Sequence, residues 1–486
     1  MPNRSAMHVV ILGAGPAGLA TGHELSANGV KVTVLEKNTF VGGLCRTIHA
    51  DGYKFDLGGH RWFTQNEDLN KWFRRLMEGD LVLVQRISRI YYSGMYFMYP
   101  VTISNVVKNA GLVTIVKAAF GFAWALLRYG AFGAPIKNMK DAYTAQFGSK
   151  LYEMFFRRYT EKVWGKPCEQ LSADWVSQRS KGLSIWTVAR EALVARKAKI
   201  KSLIEEFMYP RDGYMRIPER LAEDIVSAGN EVILGTAVKG VVRHGPERLE
   251  VLYDSPTGPQ SIQATHVVST IPLGHLIQFL TPQADEGALK AARSLEFRDL
   301  ITVNVKIRKK QVSTDTWLYV QDEGILFGRL HEPKNWSRAM VPDDEHTSLV
   351  LECFCTAGDA IWALTDDQVA QRCVDDLVEK LQFLKHSEVE GWNVVRTYHA
   401  YPVYDLQYGE KLAAIHGCLA HYDGVHIVGR GGTFRYNNAD HSIEMGLLLA
   451  RRLLGHNVNH MEVNTEQEYQ EEVHSERIKR THYQVD

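Results

Sequence analysis

The stretch "HVVILGAGPAGLATGHELSANGVKVTVLEK", residues 8–37, decides the fold class of this chain. An apolar, β-branched run leads into Gly13-x-Gly15-x-x-Gly18, and a helix-period segment follows. Here Gly13 permits a tight turn, Gly15 lets a pyrophosphate approach the backbone, and Gly18 lets the helix pack on the strand. A second apolar run ends at Glu36, which is placed to take ribose hydroxyls. We predict an α/β chain with a Rossmann-type dinucleotide-binding domain.

Chain length and net charge restrict the number of domains that we expect and the kinds of partner that the protein can bind. A chain of 486 residues exceeds the size at which one core keeps growing, so we expect two or three interleaved domains. Lys plus Arg and Asp plus Glu number 56 each, which removes the long-range positive field that general nucleic-acid binding uses. We therefore expect no nucleic-acid partner, and any anionic ligand must be met by local arginines.

Cysteine usage and the N-terminus indicate the compartment. Six cysteines are scattered along the chain, which is typical of reduced thiols rather than of a disulfide framework, and we predict no metal site. The N-terminal sequence has no apolar signal region with a small-residue cleavage site. We expect a cytoplasmic protein.

One apolar stretch, residues 110–136, bears on membrane contact. Its longest uninterrupted part, Ala118 to Leu127, is ten residues, whereas a bilayer needs about 20. A transmembrane segment is therefore not expected. The preferred interpretation is a buried helix, and the alternative is an interfacial helix that touches a membrane peripherally.

Two further stretches indicate that the dinucleotide-binding domain is discontinuous. "EVILGTAVKGVVRH", residues 231–244, alternates as a strand does, and "THVVSTIPLGHLIQFL" adds an apolar run. Residues 424–455 give a strand, a polar loop and a helix, for which Asp440 and Ser442 are suitable N-caps.

Between the stretches assigned to the dinucleotide-binding domain we predict a helical insertion and an antiparallel sheet. The sheet is predicted from runs of alternating apolar and polar residues from about 295 to 405. The predicted parts are the dinucleotide-binding domain at 1–100 (with the start of the substrate sheet), 209–275 and 415–460, the helical insertion at 101–208, the antiparallel-sheet substrate domain at 276–414, and a charged tail at 461–486, taken as solvated.

Polar residues occur in four groups that a ligand site could use. His60 follows the pair Gly58-Gly59 and could supply a proton, or be a structural histidine. Arg329 could bind phosphate oxygens or form a surface salt bridge. The other two groups are the loop 429–440 and the tyrosines of "YHAYPVYD", residues 398–405.

"YTEKVWGKPCEQL", residues 159–171, mixes aromatic and charged residues and could be either helix packing or chemistry. We attribute its charges mainly to helix solvation and local pairing.

The glycine fingerprint followed by "VGGLCRT", residues 41–47, resembles the amine-oxidase-type flavoproteins, which include protoporphyrinogen oxidases, phytoene desaturases and UDP-galactopyranose mutases. The resemblance implies FAD, bound non-covalently. The segment 159–165, "YPRDGYMRIPERL" at 209–221, the Arg329-x-x-Glu332 pattern and residues 430–436 look most like the mutases. Phe63 and Asn438 depart from the mutase pattern, where a histidine and an aspartate are expected.

The resemblance also implies site roles. His60, Arg329, Arg430 and Tyr436 would be catalytic, with both arginines on a diphosphate and His60 close to the flavin. The residues expected to hold FAD are Gly13, Gly15, Pro16, Ala17, Gly18, Glu36, Lys37, Gly42, Gly43, Leu44, Arg46, Gly58, Gly59, His60, Val238 (near the adenine), Gly429, Arg430, Asp440, His441 and Ser442. The residues expected to bind substrate are Trp164, Arg329, Tyr398, Tyr401, Tyr404, Tyr436 and Asn438.

Two activities follow from the resemblance. The first is an isomerase that interconverts pyranose and furanose forms of a nucleotide diphosphate sugar through attack of reduced flavin N5 on the anomeric carbon, with NAD(P)H as a candidate reductant. The second is an FAD-dependent oxidoreductase that dehydrogenates an amine, porphyrinogen or polyene.

Overall fold

The computed structural model of the chain describes residues 7–99, 111–179, 206–245 and 248–464. Much of the predicted helical insertion (101–110 and 180–205) and nearly all of the predicted charged tail (465–486) therefore lie outside the described residues.

The strands found within the described residues are, in chain order, β1 (His8–Leu12), β2 (Lys31–Glu36), β3 (Thr47–Ala50), β4 (Tyr53–Asp56), β5 (Leu81–Gln85), β6 (Ser88–Tyr92), β7 (Met95–Met98), β8 (Glu206–Pro210), β9 (Glu231–Leu234), β10 (Ala237–Gly245), β11 (Arg248–Ser255), β12 (Gly258–Ala264), β13 (His266–Ser269), β14 (Leu280–Thr281), β15 (Phe297–Ile307), β16 (Trp317–Val320), β17 (Arg329–His331), β18 (Thr347–Cys355), β19 (Val389–Pro402) and β20 (Val425–Ile427).

The α-helices of the same residues are α1 (Pro16–Ala27), α2 (Glu67–Met77), α3 (Leu112–Ala125), α4 (Met139–Tyr152), α5 (Arg158–Trp164), α6 (Asp174–Arg179), α7 (Arg216–Ser227), α8 (Leu273–Phe279), α9 (Glu286–Arg293), α10 (Asp366–Asp375), α11 (Tyr408–Leu419), α12 (Gly429–Gly432) and α13 (Ala439–Leu453). The π-helical turns Leu126–Ala131, Glu153–Arg157 and Asp376–Lys380 continue α3, α4 and α10.

A five-stranded parallel sheet, in the order β20-β13-β1-β2-β9, forms the predicted dinucleotide-binding domain. Its central strand β1 is almost wholly buried because helices cover both faces of such a sheet. The strands come from three separated stretches of chain, at 8–36, 231–269 and 425–427. The predicted discontinuous Rossmann-type domain is confirmed.

Helix α1 packs closely on both the sheet and α13. A Cβ on Gly18 would lie 3.0 Å from the Ile11 side chain, and a Cβ on Gly446 would overlap the carbonyl oxygen of Ala17. Glycine at these two positions therefore sets how near α1 comes to strand β1 and to helix α13.

The expectation of one strand over residues 231–244 is corrected by the structure. Residues of β9 join the parallel sheet, but β10 leaves it for a separate four-stranded sheet, ordered β12-β11-β10-β14. Gly235 causes the change of direction, with a positive φ of 69°. Thr236 then anchors the turn, since its N–H donates to the Glu36 carbonyl at 2.8 Å.

A seven-stranded sheet, in the order β19-β15-β18-β17-β16-β6-β7, confirms the predicted antiparallel-sheet domain. One pair, β16 with β6, runs parallel and brings residues 88–92 into this sheet. Part of the antiparallel-sheet domain is therefore built from the first hundred residues.

Helices α3 to α6 confirm a helical insertion, but the expectation that its apolar stretch is buried is wrong. Val113, Phe120, Trp124 and Phe132 are mostly exposed to solvent. The physical reason is that α3 packs through one narrow side, where a Cβ on Gly121 would lie 2.8 Å from the Ser149 hydroxyl of α4. Within the described residues, no helix combines the length and apolar character needed to cross a bilayer.

Candidate active site

Glycines shape the turn between β1 and α1. Gly13 has a φ of 102°, and its N–H donates to the Leu35 carbonyl at 2.8 Å. Beside Gly15 the space is open, since a Cβ there would have no atom within 4 Å, and α1 begins at the next residue, Pro16. The first N–H groups of a helix have no intrahelical acceptor, so this open end is suited to an anion such as pyrophosphate.

Glu36 holds its carboxylate against the same turn at the end of β2. Its Oε2 accepts from the N–H of Ala14 at 2.9 Å, and its Oε1 accepts from the N–H and side chain of Asn38. Lys37, the next residue, is exposed. The carboxylate keeps further lone pairs for ribose hydroxyls.

A second glycine pair lies directly on the first loop. The N–H of Gly42 donates to the Ala14 carbonyl at 2.8 Å, and a Cβ on Gly43 would lie 3.4 Å from the Cα of Gly15. Nearby, the Arg46 guanidinium lies 4.0 Å from the ring centroid of Phe40, and burial lowers the pKa of Arg46. The two glycine loops thus form one cradle.

Gly58 and Gly59 lie against the antiparallel sheet. A Cβ on Gly58 would sit 3.4 Å from the Glu352 carboxyl group, and one on Gly59 would overlap the Trp317 ring. Only glycine lets the backbone pass this close to both side chains.

His60 is tied to the glycine cradle through its ring. Its Nε2 donates to the Leu44 carbonyl at 2.9 Å, and the ring lies 5.2 Å from that of Tyr214. Burial, together with the charges of Arg430 and Arg329, lowers the pKa of His60 to about 4. His60 is therefore neutral at pH 7 and keeps the lone pair on Nδ1.

Two backbone carbonyl groups bind the Arg430 guanidinium where the Rossmann-type domain meets the antiparallel sheet. Its Nε donates to the Asn437 carbonyl at 2.7 Å, and its Nη1 donates to the Ala400 carbonyl at 2.9 Å. The preceding Gly429 has a φ of 79°, and a Cβ there would lie 2.7 Å from that of Ala17 on α1.

The start of α13 differs from the prediction. The N-cap is Asn438, which forms a capping box with His441, and not Asp440 or Ser442. A cap needs extended backbone, which Asn438 has (φ −75°, ψ 176°), whereas the other two lie inside the first turn. Asp440 is 2% exposed, and its Oδ1 has no hydrogen-bond partner among the described residues.

Arg329 and Glu352 face each other across strands β17 and β18 and form a buried ion pair. The Arg329 side chain is 12% exposed and that of Glu352 1%. Nη2 of Arg329 also donates to the Tyr401 hydroxyl at 2.5 Å. Burial alone would lower the pKa of Arg329, but the charge of Glu352 and the nearby tyrosines raise it well above the usual value.

Three predicted aromatic residues complete what we call the arginine–tyrosine cluster: Arg329, Glu352, Tyr401, Arg430, Tyr436 and Trp164. The rings of Tyr401 and Tyr436 stack at 5.6 Å, and Trp164 meets their edges at 6.5 and 6.1 Å. The Arg430 guanidinium lies 5.4 and 4.9 Å from the two tyrosine centroids. Side chains from the helical insertion, the antiparallel sheet and the Rossmann-type domain thus meet at one place.

Tyr404 and Tyr398 lie outside this cluster. The Tyr404 hydroxyl accepts from the N–H of Tyr436 at 2.8 Å, so Tyr404 supports the cluster from behind. Tyr398 is 57% exposed and packs on Trp362 at 4.8 Å. Strand β19 has a register shift between Thr397 and Tyr401, and His399 within it has a positive φ of 56°; this irregularity separates Tyr398 from Tyr401. Val238, expected near adenine, is half-buried at a register shift in β10.

Sequence reasoning missed Glu352, although a signal was present. It is the only charged residue of "TSLVLECFC", residues 347–355, a strand that is buried throughout. A lone acid in such a strand needs a buried partner, because an unpaired charge there is costly.

The charges of the segment 159–171 are also corrected in part. Lys166 pairs with Glu296 near the surface, as expected of local pairing. Lys162, by contrast, is largely buried and donates to the carbonyls of Asp322 and Ile325 at 2.7 and 2.9 Å.

The cradle residues fit FAD. The open space at Gly15 and the start of α1 suit the pyrophosphate, and Glu36 suits the ribose. No group of three or more His, Cys, Asp or Glu side chains in the described residues is arranged to hold a metal ion.

Comparison with known proteins adds family evidence. The family model described as flavin containing amine oxidoreductase matches residues 16–453. Phytoene desaturase of Phycomyces blakesleeanus is 53% identical over 51 residues, which are 10% of this chain and 9% of that protein. The diapolycopene-forming 4,4'-diapophytoene desaturase of Methylomonas sp. is 45% identical over 51 residues, 10% of each. The matched part therefore spans about a tenth of these curated relatives.

Solved structures share the fold over nearly the whole chain. A reduced UDP-galactopyranose mutase gives a TM-score of 0.79 at 21% identity and covers 95% of this chain and 96% of its own. Wild-type putrescine oxidase bound to putrescine gives 0.61 at 17% identity, with 93% and 99% covered.

Proposed function

The chain belongs to the flavin containing amine oxidoreductases, and from that membership we propose that it is an FAD-dependent oxidoreductase acting on a neutral or anionic organic substrate. When bound, FAD supplies a two-electron acceptor. The observation that carries this proposal over an isomerase is the closed ion pair between Arg329 and Glu352.

A diphosphate would have to share Arg329 with Glu352, although the buried Nε of Arg329 has no hydrogen-bond partner among the described residues. Arg329 already donates through Nη2 to both Glu352 and Tyr401. Taking Arg329 from Glu352 leaves a carboxylate that is 1% exposed without its partner, beside a second anion. A second anion beside this buried carboxylate adds repulsion, and breaking the pair outright costs about 3–5 kcal/mol, so we infer that Arg329 binds a diphosphate poorly while it is paired with Glu352.

The charges of the cluster limit the substrate class. Arg329 and Arg430 carry two positive charges and Glu352 one negative charge, while His60 is neutral at pH 7. This net positive charge repels an ammonium group and attracts a carboxylate or phosphate. A substrate with an acidic end and an oxidisable carbon skeleton therefore fits better than a simple amine.

Five of the predicted site residues have a task in this proposal. Trp164, Tyr401 and Tyr436 provide an apolar wall that excludes water, and Arg430 orients an acidic substrate group. His60 keeps its Nδ1 lone pair as a hydrogen-bond acceptor beside the cradle, and its pKa of about 4 makes it a weak base at pH 7.

Acceptor dependence tests the reaction class. Under anaerobic conditions the enzyme should reduce one equivalent of a two-electron acceptor for each substrate oxidised, and turnover should stop without an acceptor. Product formed by fully reduced enzyme with no acceptor present would contradict the proposal.

A second candidate is the nucleotide-sugar isomerase, and the position of Arg430 over Tyr401 and Tyr436 favours it. Such a pair of phenol hydroxyls beside a guanidinium can bind a phosphate. In that case reduced FAD would be required, with NAD(P)H as its reductant.

Glu352→Gln distinguishes the two candidates. If the enzyme is an oxidoreductase, UDP, GDP and TDP should not raise the Tm of wild-type enzyme, but should raise that of E352Q, because Arg329 is then released from its carboxylate. If it is an isomerase, one of these nucleotides should already stabilise the wild type.

Glu332→Gln is the matched control, since Glu332 is also 1% exposed but accepts from Thr347 and the backbone N–H groups of Val312 and Ser313. It should leave nucleotide binding unchanged.

A further inference from the structure

Apolar side chains on the outer face of α3 form a continuous stripe. Val113, Val116, Phe120, Trp124 and Leu127 recur at spacings of three and four, which places them on one side of a helix. All five are exposed, Phe120 by 74% and Trp124 by 59%. We call this stripe, together with Phe132 and Ile136 beyond it, the apolar ridge; these two are 75% and 51% exposed.

The packing of α3 on α4 fixes the direction in which the ridge points. A Cβ on Gly148 would lie 2.7 Å from the backbone nitrogen of Phe122, and a Cβ on Gly121 would lie 2.8 Å from the Ser149 hydroxyl. Because the two backbones touch at these glycines, α3 cannot rotate its apolar side inward without separating from α4. The exposure of the ridge is therefore built into the helix pair.

The segment that carries the ridge is basic, and the first acid after it is Asp141, whose carboxylate accepts from the Tyr129 hydroxyl at 2.9 Å and from the N–H of Lys137 at 3.1 Å. Residues 101–140 contain no Asp or Glu, although acids and bases balance over the whole chain. Lys117, Arg128 and Lys137 are exposed within or beside the ridge. A basic border around an apolar, aromatic surface matches a bilayer with anionic headgroups.

We propose that the apolar ridge is a peripheral docking surface for an anionic lipid bilayer, on which α3 lies in the plane of the interface. At 14 residues α3 is about 21 Å long, shorter than the roughly 30 Å hydrocarbon core, so it enters the interface and does not span it. Trp124 and Tyr129 supply rings of the type that settle at headgroup depth. A second copy of this chain is a poorer occupant, since facing ridges would bring Lys117 and Arg128 against like charges.

Vesicle co-sedimentation of the full-length holoenzyme tests this proposal. We expect binding to vesicles of phosphatidylcholine with phosphatidylglycerol, and weaker binding to phosphatidylcholine alone. Phe120→Glu with Trp124→Glu should lower the partition coefficient about tenfold or more, because two apolar side chains no longer enter the bilayer. Lys117→Glu with Arg128→Glu should lower binding to the anionic vesicles only.

Leu406→Glu is the control, since Leu406 is also 55% exposed but lies outside the ridge. It should not change binding. Retained FAD absorbance and Tm show that each variant is folded. Wild-type enzyme that stays in the supernatant with both vesicle types overturns the proposal, as does loss of a dimer in the ridge variant without any vesicle binding by the wild type.

Discussion

Asp56, at the end of β4, is a buried carboxyl group with three donors around it. It is 1% exposed and accepts from the hydroxyls of Thr47 and Tyr209, both at 2.6 Å, and from the N–H of Tyr214 at 3.1 Å. Burial nevertheless dominates and raises the pKa of Asp56 to about 6. The folded protein therefore binds a proton at this site more tightly than the unfolded chain does.

This shift predicts a pH-dependent difference from Asp56→Asn. The stability that protonated Asp56 contributes is complete below the unfolded pKa of about 3.8 and is lost as the pH rises through about 6. Between pH 4 and 7 the wild type should lose about 2 kcal/mol relative to D56N, which does not titrate. Thermal unfolding of both proteins across this range measures the change, and a constant difference in Tm would contradict it.

Glu352 illustrates how much about a contact can be predicted from a single residue in the sequence. Its place in an apolar strand implies a buried partner, but many basic residues could fill that role. Only the register of β17 against β18 selects Arg329.

At the level of elements, the contact between α1 and α13 depends on the absence of a side chain at Gly446. Gly446→Ala should lower stability by about 1–3 kcal/mol and lower FAD content, because its Cβ overlaps the Ala17 carbonyl and pushes α13 from the cradle.

Gly417→Ala is the matched control, since Gly417 lies inside exposed α11, where an added Cβ would have no atom within 4 Å. It should raise stability by up to about 1 kcal/mol, because alanine is the better helix former. Equal Tm values for the two variants would show that the α1–α13 contact is looser than this packing implies. FAD absorbance per protein provides the second measurement.

Element prediction succeeded where a local pattern repeats. The alternation of apolar strand-like runs with helix-period segments correctly predicted β1, α1 and β2. The burial pattern of each of these elements appears as hydrophobic periodicity in its own sequence. It was wrong over 231–244, where two strands of different sheets follow each other with only Gly235 and Thr236 between them.

At the scale of the whole molecule, Lys162 joins the helical insertion to the antiparallel sheet. Its ammonium group donates to carbonyls of the loop that precedes Arg329, and burial lowers the pKa of Lys162 to about 8. The lysine therefore helps to place both Trp164, on its own helix, and Arg329.

Lys162→Met, which keeps the length of the side chain, should lower stability by about 1–3 kcal/mol, because buried carbonyls lose their donor. Lys166→Met removes only the partly exposed pair with Glu296 and should cost at most about 1 kcal/mol. Thermal unfolding compares the two, and limited proteolysis should show faster cleavage of K162M alone. A smaller loss for K162M than for K166M would contradict this role.

The sequence by itself determined the parallel sheet with its glycine cradle and the presence of a helical insertion and an antiparallel sheet. Each of these features is encoded by a local sequence pattern, either hydrophobic periodicity or glycines at fixed spacing. Only the tertiary structure decided that Arg329 is paired with Glu352, that Lys162 is buried, and that the ridge of α3 faces outward. These three features depend on which surfaces of the protein pack against each other, and that packing is determined jointly by residues that lie far apart in the chain.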